Sequence, residues 1–211
     1  MQLQNLSDNK TTFVSYNLAT DNNESSTLSQ ALQEYWIASN GIFLRSTRDR
    51  IDACIQISNL ALPGLAQIQP YLKFKFPLVP NCLVAAMLEL AQKVGDQEIL
   101  FYLAFRGKEW ELVIPEQIAT ATSVKPAEPV DPIYHQALIE VHSHHRMQAK
   151  FSATDNEEEA GKFRIFAVLG EIFTSPAISV RLGIYNYFQL IPANKVFELL
   201  PDLNDANRLV L

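Results

Sequence analysis

The stretch "VHSHHRMQAKFSATD", Val141–Asp155, gathers three of the four histidines and closes on a serine and an aspartate. The fourth, His135, lies just upstream. In a strand, side chains two apart point to the same side. If the chain from Ile139 to His144 is extended, His142 and His144 therefore present their imidazoles together. Zinc takes such nitrogens at ~2.0–2.1 Å. Two histidines hold it poorly, and Asp155 is the natural third ligand, since it follows a short loop and opens the acidic run "DNEEE". The same residues have a second reading. S-x-x-D ahead of a helix is a capping box, with Ser152 as N-cap and Asp155 at N3. The readings are compatible, because a helix N-terminus is a rigid place from which to aim an aspartate and a hydroxyl.

Outward from this stretch, "YHQALIEVHSH" reads as the strand that delivers the histidines. "EEEAGKFRIFAVLG", "AISVRLGIY" and "YFQLIP" read as a helix or turn followed by three strands, and "ANKVFELLPDL" as a closing helix. Upstream, "VPNCLVAAMLELAQKVGD" is a helix entered at Pro80 or Asn81 and left at Gly95, with Leu83, Met87, Leu90 and Ala91 on one face. "EILFYLAFRGKEWELVIP" gives two strands around Arg106-Gly107-Lys108, and residues 116–132 read as irregular chain. Further back, "EYWIASNGIFLRST" is a hairpin turning at Asn40-Gly41, and "RIDACIQI" is a strand. The first thirty residues are polar and loosely ordered at their start. Strands interleaved with few helices make the fold class α/β, a mixed sheet flanked by helices. A boundary near residue 75 separates a β-rich N-terminal extension or small domain (1–75) from the main domain (76–211).

The composition narrows the function classes. A hydrophobic fraction of 48% with mean hydropathy near zero fits a chain that buries a large core. A net charge of −6 without a basic stripe argues against nucleic acid as partner. Apolar runs are broken well before the ~18 residues a membrane span needs, and the N-terminus has no secretory pattern. Cys54 and Cys82 stand far apart, as ordinary buried thiols of a reduced, cytoplasmic protein. Trp36, Trp110 and the phenylalanines of "YLKFKF" read as packing residues, and "NEEE" as a solvated helix start.

With H-S-H, seven residues, S, two residues and D in place, the chain resembles the JAMM metalloproteases of the MPN (Mov34, JAB-domain) superfamily. It is most similar to a bacterial branch, the JAB-domain protein A of PRTRC systems. The likeness spans roughly residues 78–200. It implies JAB/MPN-type layering, similar to cytidine deaminases, around one zinc ion per chain. His142, His144 and Asp155 would be its ligands, with Ser152 donating a hydrogen bond to the oxyanion. A general-base glutamate upstream would be Glu98, in an E-x-x-G context where this chain has Phe101. Glu140 is the rival: by strand parity it faces the same side as the ligands, as base or as a residue orienting one of them. His145 stands where many members have proline and reads as a surface imidazole. Ser143 points away and receives no chemistry.

The resemblance implies a zinc-dependent peptidase or isopeptidase. Its substrate would be the C-terminal tail of a ubiquitin-like or sulfur-carrier protein, with an E1-like activating enzyme as companion. The alternative is a non-catalytic MPN scaffold, which would not need an intact ligand set. A zinc deaminase would need a P-C-x-x-C pair that the sequence lacks.

Overall fold

The computed structural model describes residues 13–20, 31–127 and 132–208. Most of the polar first thirty residues, 1–12 and 21–30, including the start expected to be loose, lies outside them. The chain divides into two compact units, Met1–Lys75 and Phe76–Leu211. No helix among the described residues is long and apolar enough to cross a membrane.

The first unit is a sheet in the order β1-β2-β3-β4-β5, with β1 Val14–Leu18, β2 Gln33–Ala38, β3 Gly41–Arg48, β4 Ile51–Ser58 and β5 Tyr71–Phe74. β1 runs parallel to β2, and the other pairs are antiparallel. β1 falls within the polar first thirty residues, beyond the start read as loose. The β2–β3 turn is Ser39-Asn40 rather than Asn40-Gly41, because Ala38 pairs with Gly41. Gly41 is required by the next strand: at φ +140°, a Cβ there would stand 2.2 Å from the Ser58 carbonyl oxygen. Ala19, Ala38, Phe43 and Cys54 form a small core, with Trp36, Ile68 and Tyr71 against it.

The second unit is a mixed sheet in the order β13-β12-β11-β10-β6-β7. Its strands are β6 Leu100–Arg106, β7 Glu109–Val113, β10 Ile139–Ser143, β11 Lys162–Gly170, β12 Ala177–Tyr185 and β13 Tyr187–Ile191, and β14 Asn204–Asp205 adds to β12. β10 is parallel to β11 and antiparallel to β6, and it is buried along its whole length. The helices are α1 Asn81–Val94, α2 Pro132–Gln136 and α3 Ala153–Glu159. The molecule is therefore α/β, with mixed sheets and few helices.

α1 begins after Pro80 and ends at Gly95, but the face it buries is Val84, Met87, Leu88 and Ala91. Leu83 and Leu90 flank that face, half-buried. Two other readings need correction. Residues 116–132 contain a hairpin, β8 Gln117–Ala119 with β9 Val124–Pro126, whose closing proline ends the ladder rather than preventing it. The expected closing helix is a single 3-10 turn, Ala193–Lys195, after which Phe197 pairs with Val79. The backbone beyond that turn bonds to another segment instead: the Val196 carbonyl accepts from Val79 N–H, and Glu198 N–H donates to the Val79 carbonyl. Cys54 is buried, and burial pushes its thiol up to about 12, whereas Cys82 is exposed on α1.

Candidate metal centre

The centre is assembled from three pieces of chain around the end of β10. β10 supplies His142, and His144 follows just past the strand end, its N–H donating to the Leu169 carbonyl of β11 at 2.7 Å. The chain then turns through His145 at φ 33°, and residues 148–149 rest against the end of β11. They can do so because residue 170 is glycine: a Cβ there would lie 2.2 Å from the Ala149 nitrogen. The loop delivers Ser152 as N-cap of α3. Its hydroxyl accepts from the Asp155 N–H at 3.1 Å, and Asp155 Oδ2 accepts from the Ser152 N–H at 2.5 Å. The capping box and the metal cluster therefore coexist: while one carboxylate oxygen closes the cap, the other lies 3.2 Å from His142 Nε2.

His142, His144 and Asp155 are all buried, and their ligand atoms lie within 4.8 Å of one another. The two Nε2 atoms are 3.1 Å apart, and His144 Nε2 is 3.7 Å from Asp155 Oδ2. Ligands at zinc-like bond lengths in a tetrahedron would stand about 3.3 Å apart, so the donors already sit near bonding positions. His144 Nδ1 lies 3.4 Å from the Gln148 carbonyl, and a proton on that nitrogen leaves Nε2 with a free lone pair. Two imidazoles and a carboxylate can thus hold a metal ion.

Glu98 completes the cluster. It is 3% exposed, its Oε1 lies 3.9 Å from His144 Nε2, and that oxygen has no hydrogen-bond partner among the described residues. Burial pushes this carboxyl up to about 7; His142 opposes the shift, while Asp155 and Glu158 add to it. Its backbone is fixed by Glu98 N–H donating to Thr120, in the β8–β9 turn, at 2.8 Å. Ser143, to which no chemistry was assigned, ties this segment to β10. Its hydroxyl accepts from Ile99 N–H at 3.1 Å, and its N–H donates to the Ile99 carbonyl. The serine between the two histidines therefore sets the spacing between Glu98 and the ligands.

The electrostatics follow from crowding. Burial opposes ionisation of Asp155, yet hydrogen bonds and charge from His142 and the bonds to Ser152 hold its carboxyl far below the usual range. Burial likewise acts to lower His142, but Asp155, Glu159 and Glu98 outweigh it and the net direction is up. His144 goes down, by burial and by the charge of His142.

Glu140 lies elsewhere. Its carboxylate accepts from Lys162 Nζ at 3.2 and 3.3 Å and from Arg164 Nη1 at 2.6 Å. Phe101 is fully buried and pairs with Val141, so it sits on the face of the sheet away from His142. His145, expected at the surface, is 5% exposed, and its Nε2 has no hydrogen-bond partner among the described residues. His135 is exposed on α2. The "NEEE" run is not wholly solvated: Glu159 is buried against Arg181, a residue that sequence reasoning did not single out. No protein-family model matches the chain, and no curated protein matches it.

Proposed function

We propose that the second unit is a zinc-dependent peptidase or isopeptidase of JAMM type, with the JAB/MPN-type layering its motif implies. The observation that carries this reading is the buried His142–His144–Asp155 cluster with an unpartnered Glu98 carboxylate oxygen beside it. Burying a carboxylate oxygen without a hydrogen bond is costly, and a chain that does so at a ligand cluster has a use for the group. Zinc is the metal this mixed nitrogen and oxygen set suits, and when bound it supplies an acidified water and a Lewis acid for a carbonyl.

The chain's own residues have distinct tasks. His142, His144 and Asp155 hold the ion, one per chain. Glu98 takes a proton at its carboxylate and returns it to the leaving amine. Ser152 is exposed, and its oxygen accepts from Asp155 N–H, so its hydroxyl hydrogen remains available to donate to an oxyanion. Glu98 is preferred over Glu140 because two cations already occupy the Glu140 carboxylate.

The substrate class is the extended C-terminal tail of a ubiquitin-like or sulfur-carrier protein, and an E1-like enzyme that activates such a tail is the natural companion. The test is incubation of the purified chain with a ubiquitin-like protein carrying a C-terminal extension, followed by intact mass. Cleavage that stops with chelator and returns with zinc supports the reading. A zinc-loaded protein that cuts no such tail would instead favour a binding module of the same fold.

A further inference from the structure

Helix α3 carries a metal ligand, yet nothing apolar seats it. Its sequence is ATDNEEE, and its buried side chains are Asp155 and Glu159. A seven-residue helix is too short to persist in water on its own backbone bonds, and most helices are held by an apolar face. Polar devices at its two ends replace that face here. The capping box secures the first turn. At the other end stands Arg181, on β12 and 4% exposed.

The Arg181 guanidinium makes several contacts at once. Nε donates to Glu159 Oε2 at 2.8 Å, Nη2 lies 2.6 Å from the same oxygen, and Nη1 donates to Asn156 Oδ1. Its central carbon is 3.9 Å from the ring centroids of both Phe151 and Phe188, so the planar cation is sandwiched between them. Phe151 immediately precedes the N-cap Ser152, and its ring lies 6.4 Å from that of His142. One side chain therefore grips the loop entering α3 and two residues of α3, one adjacent to Asp155 and the other a turn beyond it. Burial outweighs the attraction within the ion pair, pushing Glu159 up to about 7 and Arg181 down. A buried pair of this kind is weak as a source of stability, and a role in fixing geometry accounts for it better.

We propose that Arg181 is a positioning residue for the metal centre, setting the reach of Asp155 toward His142 and His144 by clamping Phe151, Asn156 and Glu159. This rests on the metal-site reading above. It assigns Arg181 no contact with substrate and no step of the reaction.

The test measures zinc affinity of the full chain by competition with a chromophoric chelator, at a temperature where the metal-free protein is folded by circular dichroism. Arg181→Met/Glu159→Gln removes both charges together and so avoids stranding one of them. The expected result is a folded protein that binds zinc roughly 10- to 100-fold more weakly. Amide exchange should quicken over residues 153–159 while β10 and β11 stay protected. Arg181→Lys keeps the charge without the planar fork and should fall between the two. Affinity within about twofold of wild type in the folded double variant overturns the proposal, since a merely structural pair would move the melting temperature and not zinc binding. If the double variant does not fold, Arg181→Lys decides by the same criterion. A wild-type chain that binds no zinc sinks the metal-site reading and this inference together, whereas normal zinc binding by the variants sinks the inference alone.

Discussion

Strand β10 carries two buried polar clusters, and they solve the burial of charge in opposite ways. At Glu140, one carboxylate meets two cations, Lys162 and Arg164. Two residues on, His142 and His144 meet two carboxylates, Asp155 and Glu98. Apart from the half-buried Lys162, both sets are almost shut off from water, and Glu140 and His142 share one short strand. Charge transferred from water to a protein interior costs several kcal/mol per ion unless it is paired. The first cluster pairs its carboxylate with two cations, whereas in the second Glu98 Oε1 has no hydrogen-bond partner among the described residues. Burial alone does not distinguish the two clusters; the charge facing each carboxylate does. The second cluster is the one whose side chains could hold a metal ion.

The largest expected effect is removal of a ligand. His142→Ala should abolish the one zinc per chain and all tail cleavage, read by metal analysis of the folded protein. Asp155→Asn should also lose the zinc while retaining part of the cap, so it should melt higher than Asp155→Ala by the equivalent of about 1 kcal/mol. Next is Glu98→Gln, which should keep its zinc and lose roughly 10²–10⁴ in rate. Glu140→Gln should do the reverse: cleavage and zinc affinity persist, while chemical denaturation shows a loss of about 3 kcal/mol from breaking a buried ion pair. If the two glutamates exchange phenotypes, the contrast drawn along β10 is inverted and the base is misassigned.

Much of the second cluster is legible in the sequence because its parts are local. His142, His144, Ser152 and Asp155 fall within one short segment, and strand parity plus cap spacing place them without tertiary information. Glu98 is reachable only through resemblance, since nothing in the intervening helix and strands states which glutamate returns to the histidines. Arg181 leaves no local signal at all: it reads as one cation in an otherwise apolar strand, and its meaning depends on β12 lying beneath α3. The same limit explains Ser143 and His145, whose roles are set by what packs on them. Parity put Glu140 on the side of His142 and His144, yet it could not reveal that Lys162 and Arg164, on the neighbouring parallel strand, would occupy its carboxylate. The β8–β9 hairpin was obscured by prolines, which mark ladder ends as readily as irregular chain.

The smallest predicted effect tests the contrast most directly. In metal-free protein, burial raises Glu98 from about 4.5 to about 7. A raised carboxyl pKa in the folded state means that the protonated form is the one the fold tolerates. Its contribution is therefore complete below about 4.5 and is lost as pH rises through about 7. Glutamine does not titrate, so the unfolding free energy of wild type minus that of Glu98→Gln, measured in chelator, should decline across that window and level off above it. Saturating zinc should remove the slope, because a cation beside Glu98 favours its ionised form. A flat difference curve in chelator would mean that Glu98 is already ionised and accompanied. Both clusters on β10 would then be paired ones, and the case for a bound metal ion would rest on the ligand geometry alone.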